Sequence, residues 1–282
     1  MNIFLTFLIQ PLANGLILFY KLLGSNMGIA IIAFGLFLRI VLNPLTKPYM
    51  ESMKKMKEFA PQLEKLKKKY KGDKVKLAQA QSEFYRQKGI NPGAGCLPYL
   101  LQIAVLIAFF NVFTRTLTPN GDILNSFNKL LYEPLKFAAQ ETVNTRFLYL
   151  DVTRPDVLNL SFLPFPIPGP ILLLAALVQL ISAKIMAPYV EAGEKVARKT
   201  KEIADDVQVA MQQSMVYTFP LFTIIFGMRF ASGLALYWLL FSFYQAVQQY
   251  KSHGWGGLTP LIKKLGLLQS EAAGGKRGRK KK

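Results

Sequence analysis

Arg39 interrupts the apolar run 29–42, which holds no other charged side chain. A guanidinium keeps its proton in any protein environment. Holding one at bilayer depth costs roughly 2.5–3.5 kcal/mol on insertion scales, so such a residue faces a polar cavity rather than lipid. Whatever this chain folds into must give Arg39 something to face.

The rest of the composition agrees with a membrane setting. A mean hydropathy of +0.24 together with a net charge of +19 over 282 residues is unusual for a soluble domain. It suits a membrane protein with basic cytoplasmic segments. One cysteine, Cys96, excludes an internal disulfide framework, and one histidine, His253, excludes a multi-histidine metal site. The N-terminus lacks the basic region and small-residue cleavage site of a secretory signal. There is no Walker motif or Gly-rich phosphate loop. The apolar segments carry no Asp, Glu or His. An arginine alone has no accessible neutral form for acid–base work. The expectation is therefore a protein that is not an enzyme, with no catalytic residues, no metal and no cofactor.

Residues 3–22 are apolar, but Thr6, Gln10, Asn14 and Lys21 fall in one narrow sector of a helix. That stripe points to a helix lying in the membrane interface, and the segment length also allows a span. Gly24-Ser25-Asn26 forms a turn. Spans are expected at 27–46, 93–113, 169–187, 214–229 and 233–250. Between the first two, residues 47–92 are strongly basic, and Met53, Met56, Ala60, Leu63, Leu66 and Tyr70 recur at helical spacing. Gly72-Asp73 turns the chain, giving a charged helical hairpin over about 50–90, with Pro61 kinking or restarting its first helix. Residues 114–167 have balanced charge. Residues 189–213 read as helical, and the tail 251–282 ends in a disordered basic run. Basic segments stay in the cytoplasm, so the hairpin and tail lie inside and 114–167 outside. Five spans, or six if residues 3–22 cross, satisfy this equally.

Counted from the cytoplasmic ends, Arg39 lies about 12 Å deep, and Gln102, Gln179 and Thr223 about 14 Å. Ser242 also lies about 12 Å deep. Five polar groups in one layer read as a shared wet cavity open to the cytoplasm. Taken singly, Gln, Thr or Ser reads as hydrogen-bonding glue between helices. A fixed positive charge in an apolar wall suits an acidic or anionic guest.

The order of parts resembles the YidC family of membrane protein insertases over nearly all of residues 1–250. The stretches that carry the resemblance are Leu38-Arg39-Ile40-Val41-Leu42-Asn43-Pro44-Leu45, Pro61-Gln62-Leu63-Glu64-Lys65-Leu66-Lys67-Lys68-Lys69-Tyr70, Gly89-Ile90-Asn91-Pro92-Gly93-Ala94-Gly95-Cys96-Leu97-Pro98 with Leu101-Gln102, and Ser232-Gly233-Leu234-Ala235-Leu236-Tyr237-Trp238. The match is to the short bacterial form, without a large external domain. Ala104 departs from it, since a proline is common there in relatives.

The resemblance implies an all-α polytopic membrane protein in the bacterial plasma (inner) membrane. Residues 1–26 would form an interfacial helix and turn on the outer surface, and 27–250 a core of five transmembrane helices. The N-terminus is then outside and the C-terminus cytoplasmic. The helices surround a hydrophilic groove open to the cytoplasm and to lipid. Arg39 takes the groove's arginine position, and Gln102, Gln179 and Trp238 face the groove; the depth count adds Thr223 and Ser242. The implied activity is to move short hydrophilic tails of nascent membrane proteins into the groove and release their hydrophobic segments into the lipid bilayer, without nucleotide hydrolysis. The hairpin, through Met53, Met56, Leu63 and Tyr70, is expected to recruit substrate. The tail, through Lys276, Arg277, Arg279, Lys280, Lys281 and Lys282, is expected to bind ribosomal RNA or anionic lipid. A Sec translocon is a further expected partner. The alternative is a transporter for a small anionic solute with Arg39 as its counter-charge.

Overall fold

The computed structural model describes residues 3–70, 72–90, 97–117, 121–186 and 216–265. They are mostly helical. The helices are α1 (Gln10–Leu22), α2 (Met27–Glu58), α3 (Ala60–Lys69), α4 (Lys74–Gln87), α5 (Leu97–Thr116), α6 (Ile123–Asn128), α7 (Pro170–Met186), α8 (Val216–Gly227), α9 (Ser232–His253) and α10 (Thr259–Lys264). Leu5–Leu22 and Met27–Leu45 have the length and hydropathy to cross a membrane, and Ile103–Thr116, Pro170–Ile185 and Val216–Gly227 are shorter apolar helices.

One segment, 121–169, organises the bundle. The first N–H groups of any helix lack intrahelical acceptors, and this segment supplies them. Met27 N–H donates to the Asn144 carbonyl at 3.0 Å, Ser232 N–H to that of Arg154 at 2.7 Å, and Gly233 N–H to that of Val152 at 3.0 Å. Leu172 N–H donates to Asp156 Oδ2 at 2.8 Å. The N-termini of α2, α7 and α9 thus meet a single cap, and α5 reaches the same level at its buried last residue Thr116 and at Leu117 just after it. Helices α2, α7 and α9 run away from the cap; α5 and α8 run toward it.

Packing loosens with distance from that cap. In α2, Met27, Ala30, Ile31 and Phe34 are buried, whereas Leu36, Phe37, Ile40 and Val41 are exposed. The dense half is closed by aromatic contacts: Phe109 stacks on Tyr237 at 4.4 Å, and Phe34 meets Phe109 at 6.0 Å. Gly35 marks the transition, because a Cβ there would come within 2.8 Å of the Leu240 side chain. Without a side chain at that point, α2 and α9 approach closely.

The described residues are mostly helical, in keeping with the all-α expectation, but the cap is not a plain loop. It contains α6 and two short antiparallel hairpins, β1 (Arg146–Phe147) with β2 (Leu150–Asp151) and β3 (Val157–Leu158) with β4 (Ile167–Pro168). Both hairpins meet at the buried Asp156 carboxylate. It accepts from Tyr149 Oη at 3.1 Å and from Leu172 N–H, while Ile171 N–H donates to Tyr149 Oη at 2.9 Å. Burial pushes the Tyr149 phenol up to about 12 from its ordinary value near 10; the bond from Ile171 works against that rise and the Asp156 charge adds to it. The folded state therefore holds this proton more tightly than the unfolded chain. Its contribution is intact below pH ~10 and is lost between about pH 10 and 12. Subtracting the unfolding curve of Tyr149→Phe from that of the native protein across this range is expected to isolate that loss; parallel curves would refute it.

Part of the polar stripe of the N-terminal helix bonds to the cap. Asn14 is buried, with its Nδ2 donating to the Leu130 carbonyl at 3.0 Å and its Oδ1 accepting from Tyr132 N–H at 2.7 Å. Lys21 Nζ donates to the Lys136 carbonyl at 3.0 Å, and Tyr20 Oη accepts from Asn144 N–H at 2.9 Å. Two residues of the stripe, Asn14 and Lys21, thus bond to the cap. Ile3, Phe7, Leu18 and Leu22 are exposed apolar residues of the same segment.

Two more boundaries differ. The first span and the first part of the hairpin form one helix, α2, of 32 residues, about 48 Å long and so longer than a ~30 Å hydrocarbon core. The helix passes through Pro44 and Pro48 and breaks only at Phe59, with Pro61 in the first turn of α3. The hairpin then closes by the edge-on pair Phe59–Phe84 at 6.0 Å, and the Asp73 side chain caps α4 by accepting from Lys76 N–H at 3.0 Å. That bond and one from the Lys76 side chain hold the Asp73 carboxyl below its ordinary range. The start of the tail is also ordered. Trp255 packs on Tyr250 at 4.7 Å, Leu258 is buried, and Gly256 lies against the backbone of Ile185 at the end of α7. The expected helix at 189–213 lies outside the described residues.

Candidate functional site

Gly35, Arg39 and Asn43 lie four apart and share one face of α2. They meet a matching row on α9. Gly35 faces Tyr237 and Leu240, and Asn43 Oδ1 accepts from Gln248 Nε2 at 2.9 Å. Between them, the Arg39 guanidinium lies 3.6 Å from the Phe241 ring centre and 5.5 Å from that of Tyr244. Arg39 is twelve residues beyond Met27, about 18 Å from the capped end. It therefore sits in the looser half of the bundle.

Stacking on Phe241 stabilises the cation by about 0.5–2 kcal/mol. It supplies no hydrogen-bond acceptor. Arg39 Nε and Nη2 are buried with no acceptor among the described residues, and Ser242 Oγ, next to Phe241, is likewise buried and unpaired. Each buried donor left so costs roughly 1–3 kcal/mol, and more when charged. Among the described residues, the seam leaves these donors of the arginine unsatisfied.

The remaining layer residues are placed differently. Thr223 Oγ1 donates to Gln179 Oε1 at 2.8 Å, tying α8 to α7. Ser182 Oγ donates to Gln249 Oε1 at 3.0 Å, tying α7 to α9. Bonds of this kind average about 0.6 kcal/mol between membrane helices. Gln179 and Thr223 are thus engaged with each other, whereas Arg39 and Ser242 flank Phe241. Trp238 is buried in the dense half, near the cap. Gln102 lies on α5 and Met53 and Met56 on α2, but their side chains fall outside the described ones. Leu63 and Tyr70 are half-buried on the hairpin. Lys276, Arg277, Arg279, Lys280, Lys281 and Lys282 lie outside the described residues. Sequence reasoning missed Phe241, Tyr244, Asn43 and Gln248. The four-residue steps Gly35–Arg39–Asn43 and Tyr237–Phe241 were the signal that could have found them.

Apolar helices sealed at one end by a polar cap, with an arginine in the looser half, define an α-helical membrane protein. The chain belongs to the 60Kd inner membrane protein family, whose sequence profile matches residues 18–254. It is 31% identical over 226 residues to a Fusobacterium nucleatum protein named Membrane protein insertase YidC, covering 80% of this chain and 85% of that one. A Syntrophobacter fumaroxidans protein of the same name is 31% identical over 247 residues, 87% of this chain but 37% of the relative. One from Caulobacter vibrioides is 45% identical over 111 residues, 39% of this chain and 18% of the relative.

Proposed function

We propose that this protein inserts other membrane proteins. It takes a short hydrophilic tail of a nascent chain into a polar groove on the side away from the cap, and releases the hydrophobic segment sideways into lipid. No nucleotide is hydrolysed. The observation that carries this reading is Arg39: a permanent cation at mid-bundle depth with two buried donor nitrogens that meet no acceptor among the described residues. The names of the relatives agree with it.

The barrier to moving a tail is dehydration of its charges and backbone. A groove reaching partway shortens the dry distance. Arg39 pairs transiently with an acidic residue of the tail, and burial of about 20 apolar residues completes insertion. In this reading α2, α5, α7, α8 and α9 are five spans of a bacterial plasma membrane protein. The N-terminus and cap are outside, and the α3–α4 hairpin and C-terminal tail are in the cytoplasm. The hairpin receives substrate, the basic tail meets the ribosome, and a Sec translocon assists some substrates.

The test is reconstitution in liposomes with a single-span substrate bearing an acidic or a neutral N-terminal tail. A close ion pair at intermediate dielectric is worth up to ~4 kcal/mol. Even a third of that is a tenfold effect. Arg39→Ala is expected to reduce protease protection of the acidic tail about tenfold and to leave the neutral tail within about twofold, with Arg39→Lys in between. Equal behaviour of both tails removes the charge step. No insertion by the native protein, alongside passage of a small anion, replaces the whole reading with a transporter.

A further inference from the structure

We propose that the cap is a lipid anchor: the tips of its two hairpins, Leu148 and the Phe162–Phe165 turn, enter the interface of the outer leaflet. This rests on the reading that the helices below cross the bilayer with the cap outside.

Leu148 occupies the first central position of the two-residue turn between β1 and β2, where Phe147 pairs with Leu150. Its φ is +53°, and it is 78% exposed. A turn of this kind favours glycine at that position. A branched apolar side chain there is strained and covers nothing in the protein. On the second hairpin, Phe162 is 77% and Phe165 60% exposed, with Pro164 and Pro166 stiffening the chain on either side of Phe165. Two hairpins holding large apolar groups out of the fold need an apolar surrounding to account for them.

Their shared root says which surrounding it is. Both hairpins meet at Asp156 and Tyr149, which hold the first turn of α7. Helix α7 starts at Pro170, directly after β4 and Gly169, so Phe165 precedes it by only five residues. The outward residues Leu173, Leu174 and Leu177 then continue the apolar surface down the helix. The tips are the upper edge of the face that the helices turn to lipid. Arg146, beside the first tip, is exposed and has no ion pair among the described residues. Arg154 has only a long 3.8 Å contact with Asp151. Apolar and aromatic side chains flanked by tyrosine and unpaired arginine match the headgroup level of a bilayer, where rings lie at the acyl boundary and cations meet phosphate.

The test uses the full chain in liposomes, with Cys96→Ser as background. Single cysteines replace Leu148, Phe162 or Phe165 and carry an environment-sensitive fluorophore. Ile40→Cys and Leu177→Cys report the lipid-facing helices, and Glu141→Cys an exposed cap position. Lipids carrying a quencher near the headgroup end of the acyl chain are expected to quench at least two of the three tips twofold or more over Glu141→Cys. A quencher placed deep in the chain is expected to act mainly on Ile40→Cys and Leu177→Cys. Tips quenched by aqueous iodide as readily as Glu141→Cys, with the helix positions still quenched by lipid, overturn the anchor alone. Escape of Ile40→Cys and Leu177→Cys as well overturns the bilayer placement and the anchor with it.

Discussion

Replacing Asp156 with alanine is expected to destabilise the protein by about 3 kcal/mol, taking the bonds lost at roughly 1.5–3 kcal/mol each where one partner is charged. That corresponds to a fall of roughly 6–12 °C in the unfolding temperature on the scale of soluble domains of similar size. The carboxylate is 2% exposed, accepts from Tyr149 Oη and Leu172 N–H, and joins both cap hairpins to the N-terminus of α7. Removing it orphans a helix N–H and a phenol together, and opens the space beside Gly169, which has no side chain to fill it. A negative group at that position also complements the positive end of the helix dipole. Asp156→Asn keeps the shape but loses the charge and presents an NH₂ to one of two donors, so about half the effect is expected. Thermal unfolding in detergent measures both. Amide exchange over residues 149–172 should rise with the loss of stability. A shift of under 2 °C for Asp156→Ala would show that the cap is held elsewhere.

The sequence marked where helices begin and end better than which way their side chains face. Proline and glycine punctuation placed α7 and α9 within a few residues, at 169–187 and 233–250 against Pro170–Met186 and Ser232–His253. Counting residues put Gln179 and Thr223 at one level, and they do touch. Counting could not say that they face each other while Arg39 faces Phe241, because azimuth depends on which helices neighbour which. The span expected at 27–46 matches the apolar stretch Met27–Leu45, but nothing local in the sequence showed that α2 continues beyond it and breaks only at Phe59. The cap was the least legible part. Its charges cancel and its strands are two residues long, so no period marks them. Its order comes from bonds between distant residues, such as Asn14 with Leu130 and Tyr20 with Asn144, which leave no local pattern.

Arg39→Met is expected to stabilise the fold while impairing its proposed activity. The substitution removes two buried donors that lack acceptors among the described residues, at roughly 1–3 kcal/mol each. It gives up the stacking on Phe241, about 0.5–2 kcal/mol. A thioether of similar reach recovers part of that through sulfur–ring contact, about 0.3–1.5 kcal/mol. With the donors taken at the low end of their range and the ring contacts at mid-range, the balance favours methionine by about 1–2 kcal/mol, or a rise of a few degrees in unfolding temperature. Acidic-tail insertion in the same preparation is expected to fall about tenfold, as for Arg39→Ala. A residue that weakens its own fold and is nevertheless present belongs with sites kept for what they bind rather than for what they hold together. If Arg39→Met instead lowered the unfolding temperature, the guanidinium would be part of the α2–α9 seam's own bonding, and its charge would lose its claim on substrate. Opposite signs in the two measurements are what a binding charge requires, and a purely structural arginine cannot produce them.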